Sequence, residues 1–589
     1  MMPLSRSLYL GSIFSLALFL TITLIPSPTL SAPKNPDTFV MASYGTVRTL
    51  DPCVAYDTVS GQRVLNLYEP LVFFDGEATD KFIPLLATQV PTMENGGISK
   101  DGKTYTFEIR KGVTFHEGGE LTAEDVAYSF KRNMIADPDG GPMWMMLEAL
   151  TGEGSTRDEN GKIRSDIFEK IDKAVEVQGD KVILHLPKPY PPLMGILAYA
   201  SSVILQKNWA IVNGCWDGNI ANAEKYNNPA PGHEPLQKIA NGTGAYQMKA
   251  WEPSKQFVFE RFDGYWGGAP QVETAIFKYV KEWSTRKLML QNGDADRVVV
   301  DTPYIPEVKA MKGLTFYEVP QLAMTAACFC QKINPSGNPN IGSGKLDGEG
   351  IPPDFFSDMH VRKAFLHAFD RETYRDDVFN GLVILPSSPN IQGLPYHKEV
   401  PIYPFDLKKA AEHMKQAFDG QVWDKGFKMV ITYNTGNAMR EAAAFMLAEN
   451  IMSLNPKFRI EVRNVDWKDY LVQYRNFMYP IFIIGWGADY ADPHNFMYTF
   501  MHSQGVYGRY MAYKNEEVDK LCDAGIDTID PIQREEIYFR LQDLWYLDAV
   551  AIGLYQQIDF RAYRDYVKGY QPNPMFNSEW ENLKRMTKE

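Results

Sequence analysis

The sequence predicts a mixed α/β protein of several domains, and three observations carry that reading. Segments alternating apolar and polar residues with period two are interspersed, from end to end, with amphipathic segments of helical period. The chain has 589 residues, several times the usual length of one domain. Its hydrophobic fraction of 45% and charged fraction of 23% are those of an ordinary globular protein and exclude a disordered or fibrous chain.

The elements follow in order. Arg6 is the only charge in the first 32 residues and precedes an uncharged stretch from Leu8 to Ile25, then Pro26, Pro28 and the small pair Ser31-Ala32. This reads as a secretory signal peptide cleaved near Ala32. An uncleaved anchor is the rival reading, but Gly11, Ser12, Ser15, Thr21 and Thr23 dilute the segment and no basic stop-transfer run follows. Cys53, the first cysteine, is too far downstream to carry a lipid beside that cleavage point. An exported, periplasmic protein is expected.

Thr38–Val47 alternates like a strand, a helix fits Gly61–Tyr68, and a strand fits Pro70–Phe74. Lys103–Arg110 alternates strictly and predicts a strand. Thr122-Ala-Glu-Asp125 has the form of a capping box opening an amphipathic helix. Gly, Pro and Asn mark loops over 137–160 and 213–235. Phe257–Phe262 predicts a strand. Helices are predicted over Val361–Phe369, Leu407–Phe418, Met439–Leu454 and Arg534–Asp548, and strands over Phe427–Tyr433, Arg459–Val465, Pro480–Gly485 and Val550–Tyr555.

The chemistry is constrained mostly by exclusion. A formal charge of −13 does not suit a nucleic-acid backbone, which is gripped by clustered Lys and Arg. The nine histidines include no H-x-x-x-H pair, so no metal site and no cofactor are expected. There is no G-x-S-x-G elbow. Gly342-Ser-Gly-Lys345 fails as a phosphate loop because Pro339 and Leu346 stand where Gly and Ser or Thr are required. The five cysteines leave at least one thiol unpaired. Cys328 and Cys330, two apart in a strand-like run, are expected to share one face as buried small hydrophobes. Carboxylate pairs such as Asp489 and Asp492 could in principle serve acid–base hydrolysis.

Aromatic residues reach 13%, with 11 Trp and 32 Tyr, which suits a cleft that grips a ligand as well as ordinary core packing. The run that stands out is Ile481-Phe-Ile-Ile-Gly-Trp-Gly-Ala-Asp-Tyr-Ala-Asp-Pro493. An apolar strand there runs into Gly485 and Trp486, and a short acidic loop follows. Ligands collect at strand ends in α/β sheets, so Trp486 and Asp489 are placed for a cleft, where a fixed carboxylate would favour a cationic group such as an amine.

Several ordered segments carry a resemblance: Thr49-Leu-Asp-Pro52, Leu67-Tyr-Glu-Pro-Leu71, Phe107–Gly118 with Leu121–Val126, Gly242-Thr-Gly-Ala-Tyr246, Tyr265–Pro270, Val361–Phe365 with Phe369-Asp-Arg371, and Gly485-Trp-Gly-Ala-Asp-Tyr490. In this order they resemble the periplasmic solute-binding proteins of peptide-type ABC importers, extracellular solute-binding protein family 5. The resemblance implies a two-lobe periplasmic-binding-protein fold (type II, cluster C) with an extra domain inserted in lobe one. Lobe one would combine 33–69, 239–328 and 556–589, the extra domain 70–238, and lobe two 329–555.

It also implies that Gly485 and Trp486 line the ligand and that Asp489 receives a peptide's α-ammonium. Tyr56 and Thr58 are similar in position to a segment that pairs with the ligand backbone. The carboxylate-binding residue is not evident; Arg475 and Arg509 are the candidates. Gly487 stands where some peptide binders have a bridged cysteine, so Cys328 or Cys330 cannot make that bond. The expected function is capture of a solute, foremost a short peptide, by a monomer that delivers it to ABC permease subunits, without enzymatic turnover. The alternatives are an oligosaccharide or other non-peptide solute on the same fold, or a secreted hydrolase.

Overall fold

The computed structural model describes residues 33–589; the segment expected to be a signal peptide, with its expected cleavage point near Ala32, lies outside the described residues. Among the described residues no helix is long and apolar enough to cross a membrane.

The architecture is α/β and two-lobed, built on one sheet of 11 strands that runs through both lobes. From one edge the order is Phe458–Val465, Phe427–Asn434, Ile481–Gly487, Leu314–Phe329, Ala551–Arg564, Arg297–Val299, Thr38–Ser43, Thr274–Tyr279, Gln256–Arg261 and Tyr246–Glu252, with Val383–Ile384 branching from Ala551–Arg564. Lobe two begins as two βαβ crossovers: helix Ala438–Leu454 returns the chain to a parallel strand, and helix Trp467–Arg475 leads it to the next.

Burial on both faces explains why Ile481-Phe-Ile-Ile484 is apolar without alternation. Ile481 and Ile483 pack with Phe329, Phe355 and Phe427 on one side of the sheet. Phe482 and Ile484 pack with Cys328, Tyr507 and Trp545 on the other. Cys328 and Cys330 do not share a face as expected. The strand ends at Phe329, so Cys330 leaves the alternation and joins the opposite core. All five cysteines are buried free thiols.

Two strands are far longer than their sequences suggest. Leu314–Phe329 and Ala551–Arg564 lie antiparallel in the middle of the sheet. On their outer sides Leu314–Phe329 pairs with Ile481–Gly487 and Ala551–Arg564 pairs with Arg297–Val299. Register shifts between Pro320 and Met324, where the buried Gln556 amide donates to the carbonyls of Gln321 (3.0 Å) and Gln392 (2.8 Å). Side-chain donors thus replace ladder bonds that the irregularity removes.

The region 70–238 carries its own antiparallel sheet, Val175–Gln178, Lys181–His185 and Thr104–Glu108, under helix Ala123–Ala136. The capping box is present: Thr122 Oγ1 accepts from the Asp125 N–H, and the Asp125 carboxylate accepts from the Thr122 N–H at 2.9 Å. Two stretches differ from the sequence reading. Residues Trp144–Thr151, inside an expected loop, form a helix whose apolar side chains are mostly buried. Tyr246–Glu252 is an additional strand paired with Gln256–Arg261. The insert is tied to the segment before the first helix by Arg132, which grips Asp51 bidentately at 2.5 and 2.6 Å in a buried pair. The C-terminal tail folds back on lobe one through Arg63–Glu579 (3.1 Å) and the fully buried pair Arg297–Glu581.

Candidate ligand-binding site

The strand Ile481–Gly487 pairs with Leu314–Phe329 so that Gly485, Trp486 and Gly487 lie opposite Thr325, Met324 and Ala323. A β-carbon on Gly485 would sit 3.0 Å from Thr325 Oγ1 and 3.4 Å from a terminal nitrogen of Arg440. A side chain at this position would press on Thr325 and crowd the Arg440 guanidinium, which glycine lets lie close to the strand. Gly487, by contrast, faces open space.

Past the strand the chain turns through Asp489 and Tyr490 into helix Pro493–Met501. Asp492 caps that helix, accepting the His494 N–H at 2.9 Å, and Pro493 occupies its first position. Asp492 is also held by Arg534 through two bonds of 2.8 Å. That buried pair commits Asp492 to structure and removes it from an acid–base couple with Asp489. Asn495, in the first turn, organises the loop. Its side-chain oxygen accepts from Trp486 Nε1 (2.9 Å) and the Asp489 N–H (3.2 Å), while its amide donates to Asp489 Oδ2 (3.3 Å).

Asp489 is 8% exposed, and among the described residues no Lys, Arg or His forms an ion pair with it. Its other oxygen accepts from the Tyr56 hydroxyl, which comes from lobe one, and Trp144 Nε1 donates to the same hydroxyl at 3.3 Å. Burial pushes the Asp489 carboxyl up from its usual range, opposed by the Tyr56 and Asn495 hydrogen bonds. The Tyr56 hydroxyl is pushed up as well, by burial and by the adjacent carboxylate, so it remains a donor. The result is a buried carboxylate cradled by neutral donors.

Of the residues singled out from sequence, Gly485, Trp486, Asp489 and Tyr56 are brought together. Thr58 is exposed at the start of helix Thr58–Leu67, whose cap is Asp57, and its side chain makes no bond in the Asp489 network. Arg475 turns to the Tyr474 hydroxyl (3.4 Å), and the exposed Arg509 lies over Tyr510; neither reaches that network.

Sequence reasoning missed Trp144, Asn495 and Arg440. Arg440 lies in the first turn of helix Ala438–Leu454 and donates to Asn434 Oδ1 at 2.8 Å. Its buried Nε has no partner, and its guanidinium sits over Trp467. A half-satisfied guanidinium beside exposed strand backbone is suited to an incoming carboxylate. Asn437, which caps the helix, is the local signal that fixes where Arg440 points.

Comparison with known proteins places the chain in a family and a fold. The chain is 26% identical to the dipeptide-binding protein of Escherichia coli (strain K12) over 94% of its own length and 96% of that protein's. It is 25% identical to heme-binding protein A of Haemophilus influenzae, covering 86% of this chain and 85% of that one. Its fold superposes on the ABC transporter-associated periplasmic binding protein DppA from Helicobacter pylori in complex with the peptide STSA. There the TM-score is 0.68 and the identity 21%, covering 94% of this chain and 98% of that one. The sequence model of the bacterial extracellular solute-binding proteins, family 5 Middle, matches residues 81–508. With a family model matching most of its length and a fold that agrees, the chain belongs to the bacterial extracellular solute-binding proteins of family 5.

Proposed function

We propose that this protein binds a short peptide between its lobes, in the periplasm, and hands it to the permease subunits of an ABC importer without chemical turnover. The observation that carries this reading is Asp489, a buried carboxylate held only by neutral donors, where a peptide's α-ammonium would complete the charge balance. Arg440, beside Gly485 four residues before Asp489, supplies a seat for the terminal carboxylate.

The spacing favours a short ligand. Gly485 and Asp489 are four residues apart, so their backbones are separated by at most about 14 Å. A dipeptide of about 7 Å with a charge-assisted bond of about 2.8 Å at each end fills most of that span. The Gly485 carbonyl is already bonded by the Tyr507 hydroxyl (2.7 Å), so ligand backbone would pair with the strand edge at Trp486–Gly487, giving affinity that does not depend on side chains. Because Tyr56 comes from lobe one and Asp489 from lobe two, a ligand in this position stabilises the closed arrangement. We take the crossing strands as the hinge, with lobe one at 33–69, 239–328 and 556–589, the extra domain at 70–238 and lobe two at 329–555. Residues 1–32 would direct export.

Native mass spectrometry of the purified protein, followed by denaturation and identification of what is released, tests the reading. A set of di- and tripeptide masses supports it. A single non-peptide mass overturns the ligand. If nothing is released, a thermal-shift panel of di- and tripeptides in which none raises the melting temperature overturns it equally.

A further inference from the structure

Apart from the Asp489 loop, helix Met359–Ala368 packs on helix Leu407–Met414 and brings together histidines that are 53 positions apart in sequence. The Nδ1 atoms of His360 and His413 are 2.9 Å apart, and both residues are half-buried. Two Nδ1 atoms at that distance share a single proton, so at least one presents a lone pair to the other.

Two imidazole nitrogens on a divalent ion, with bonds of about 2.0–2.1 Å, lie about 2.9 Å apart at the 90° angle of a square-planar or tetragonal site and about 3.4 Å apart at a tetrahedral angle. We propose that His360 and His413 form a two-nitrogen chelate for a tetragonal divalent cation, Cu(II) ahead of Ni(II), with solvent completing the coordination.

The surroundings fit a two-donor site. Asp358 is already engaged, accepting the N–H groups of His360 (2.7 Å) and Phe418 (2.8 Å), which fixes the backbone under His360. His367 donates Nδ1 to the Pro404 carbonyl at 2.8 Å and stacks parallel on His413 at 5.8 Å, so it orients that ring without converging on the same point. Lys363 and Glu412, on the two helices, face His413 with opposite charges. Among the described residues no group of three or more His, Cys, Asp or Glu side chains is placed to hold a metal ion, which is why the ion would keep several waters. Binding needs no loss of a proton from the protein. The Nδ1 proton shared by the pair moves to Nε2 through solvent, leaving both Nδ1 lone pairs for the metal.

The site is independent of the peptide cleft, so its test is too. Untagged, chelator-treated protein is titrated with CuCl2, NiCl2 and ZnCl2 by calorimetry, and the Cu(II) form is read by electron paramagnetic resonance. The expected result is one equivalent of Cu(II) bound ahead of Ni(II), a tetragonal spectrum and coupling to two imidazole nitrogens. His360→Ala or His413→Ala should weaken Cu(II) by more than roughly 100-fold, beyond what loss of an outer-shell partner costs, while His233→Ala changes nothing. Absence of saturable binding, a tetrahedral preference for Zn(II), or full retention in the double variant would show a hydrogen-bonded pair only and overturn the proposal. The nitrogen count in the unsubstituted protein decides the matter even where a variant folds poorly.

Discussion

Replacing Asp489 by Asn separates binding from folding in opposite directions. The carboxylate is buried, its neighbours Tyr56 and Asn495 are neutral donors, and among the described residues no cation pairs with it. In the ligand-free protein the negative charge is therefore a cost, seen in the upward displacement of its pKa. Asn keeps the shape, offers its oxygen to the Asn495 amide and its own amide to the Tyr56 oxygen, and removes the charge, so the melting temperature should stay constant or rise. Binding should move the other way. Leaving an ammonium buried against an amide costs about 2–5 kcal/mol, the range for removing one member of a buried charge pair. At about 1.4 kcal/mol per tenfold, that is a loss of affinity from about 30-fold to several thousandfold. Titration calorimetry with a dipeptide and its N-acetylated form closes a double cycle: acetylation should weaken the parent protein by a similar factor and the variant hardly at all. Unchanged dipeptide affinity in Asp489→Asn, or equal losses from acetylation in both proteins, would refute the assignment of the ammonium to this residue.

Other expectations follow from the same structure. Arg440→Met should weaken peptides with a free terminal carboxylate by about 2–5 kcal/mol and leave C-terminally amidated ones nearly unaffected; equal affinity for free peptides in calorimetry would exclude Arg440 from the site. Peptide affinity should fall as pH is lowered through the raised Asp489 pKa, because a protonated carboxyl cannot balance an ammonium; a flat profile to the onset of unfolding would contradict this. Folding stability should also decline at low pH. Burial pushes His116 down to about 4 and His494 down to about 3, so below 6.5 the unfolded chain takes up protons that the folded one refuses. Stability is then complete above 6.5 and is lost toward pH 4, at up to about 2.7 kcal/mol per pH unit for two groups, as denaturant titrations at several pH values would show. Arg297→Met should cost about 3–5 kcal/mol by stranding Glu581, and the double change Arg297→Met with Glu581→Leu should recover much of it; equal melting of the single and double variants would refute that coupling.

What the sequence reveals and what it hides have physical causes. Strands with one polar face, such as Thr104–Glu108, and helices with side-chain caps, such as the one opened by Thr122, declare themselves locally. Asp489 is visible because an apolar strand delivers it to a loop. Trp144 is hidden because its helix is short and flanked by Gly and Pro, the residues that mark a loop. Arg440 is hidden because its value depends on Gly485, 45 positions later, and only sheet order places them together. The crossing strands are hidden because Pro320 and the polar run Gln556-Gln-Ile-Asp559 look like terminators. In the fold Gln556 is fully buried, and its amide bonds the Gln321 and Gln392 carbonyls at the irregularity.

The continuity of that sheet bears on how the molecule can be taken apart. Leu314–Phe329 and Ala551–Arg564 pair with each other and with strands on either side of the sheet, and the C-terminal tail returns to the helix after the first strand. No single cut in the polypeptide yields a fragment with a complete sheet, since each half would expose a ladder of unpaired strand edges. The two halves should accordingly melt as one calorimetric unit. A genetic split would succeed only where the fragments are co-expressed and allowed to reassemble around the shared ribbon.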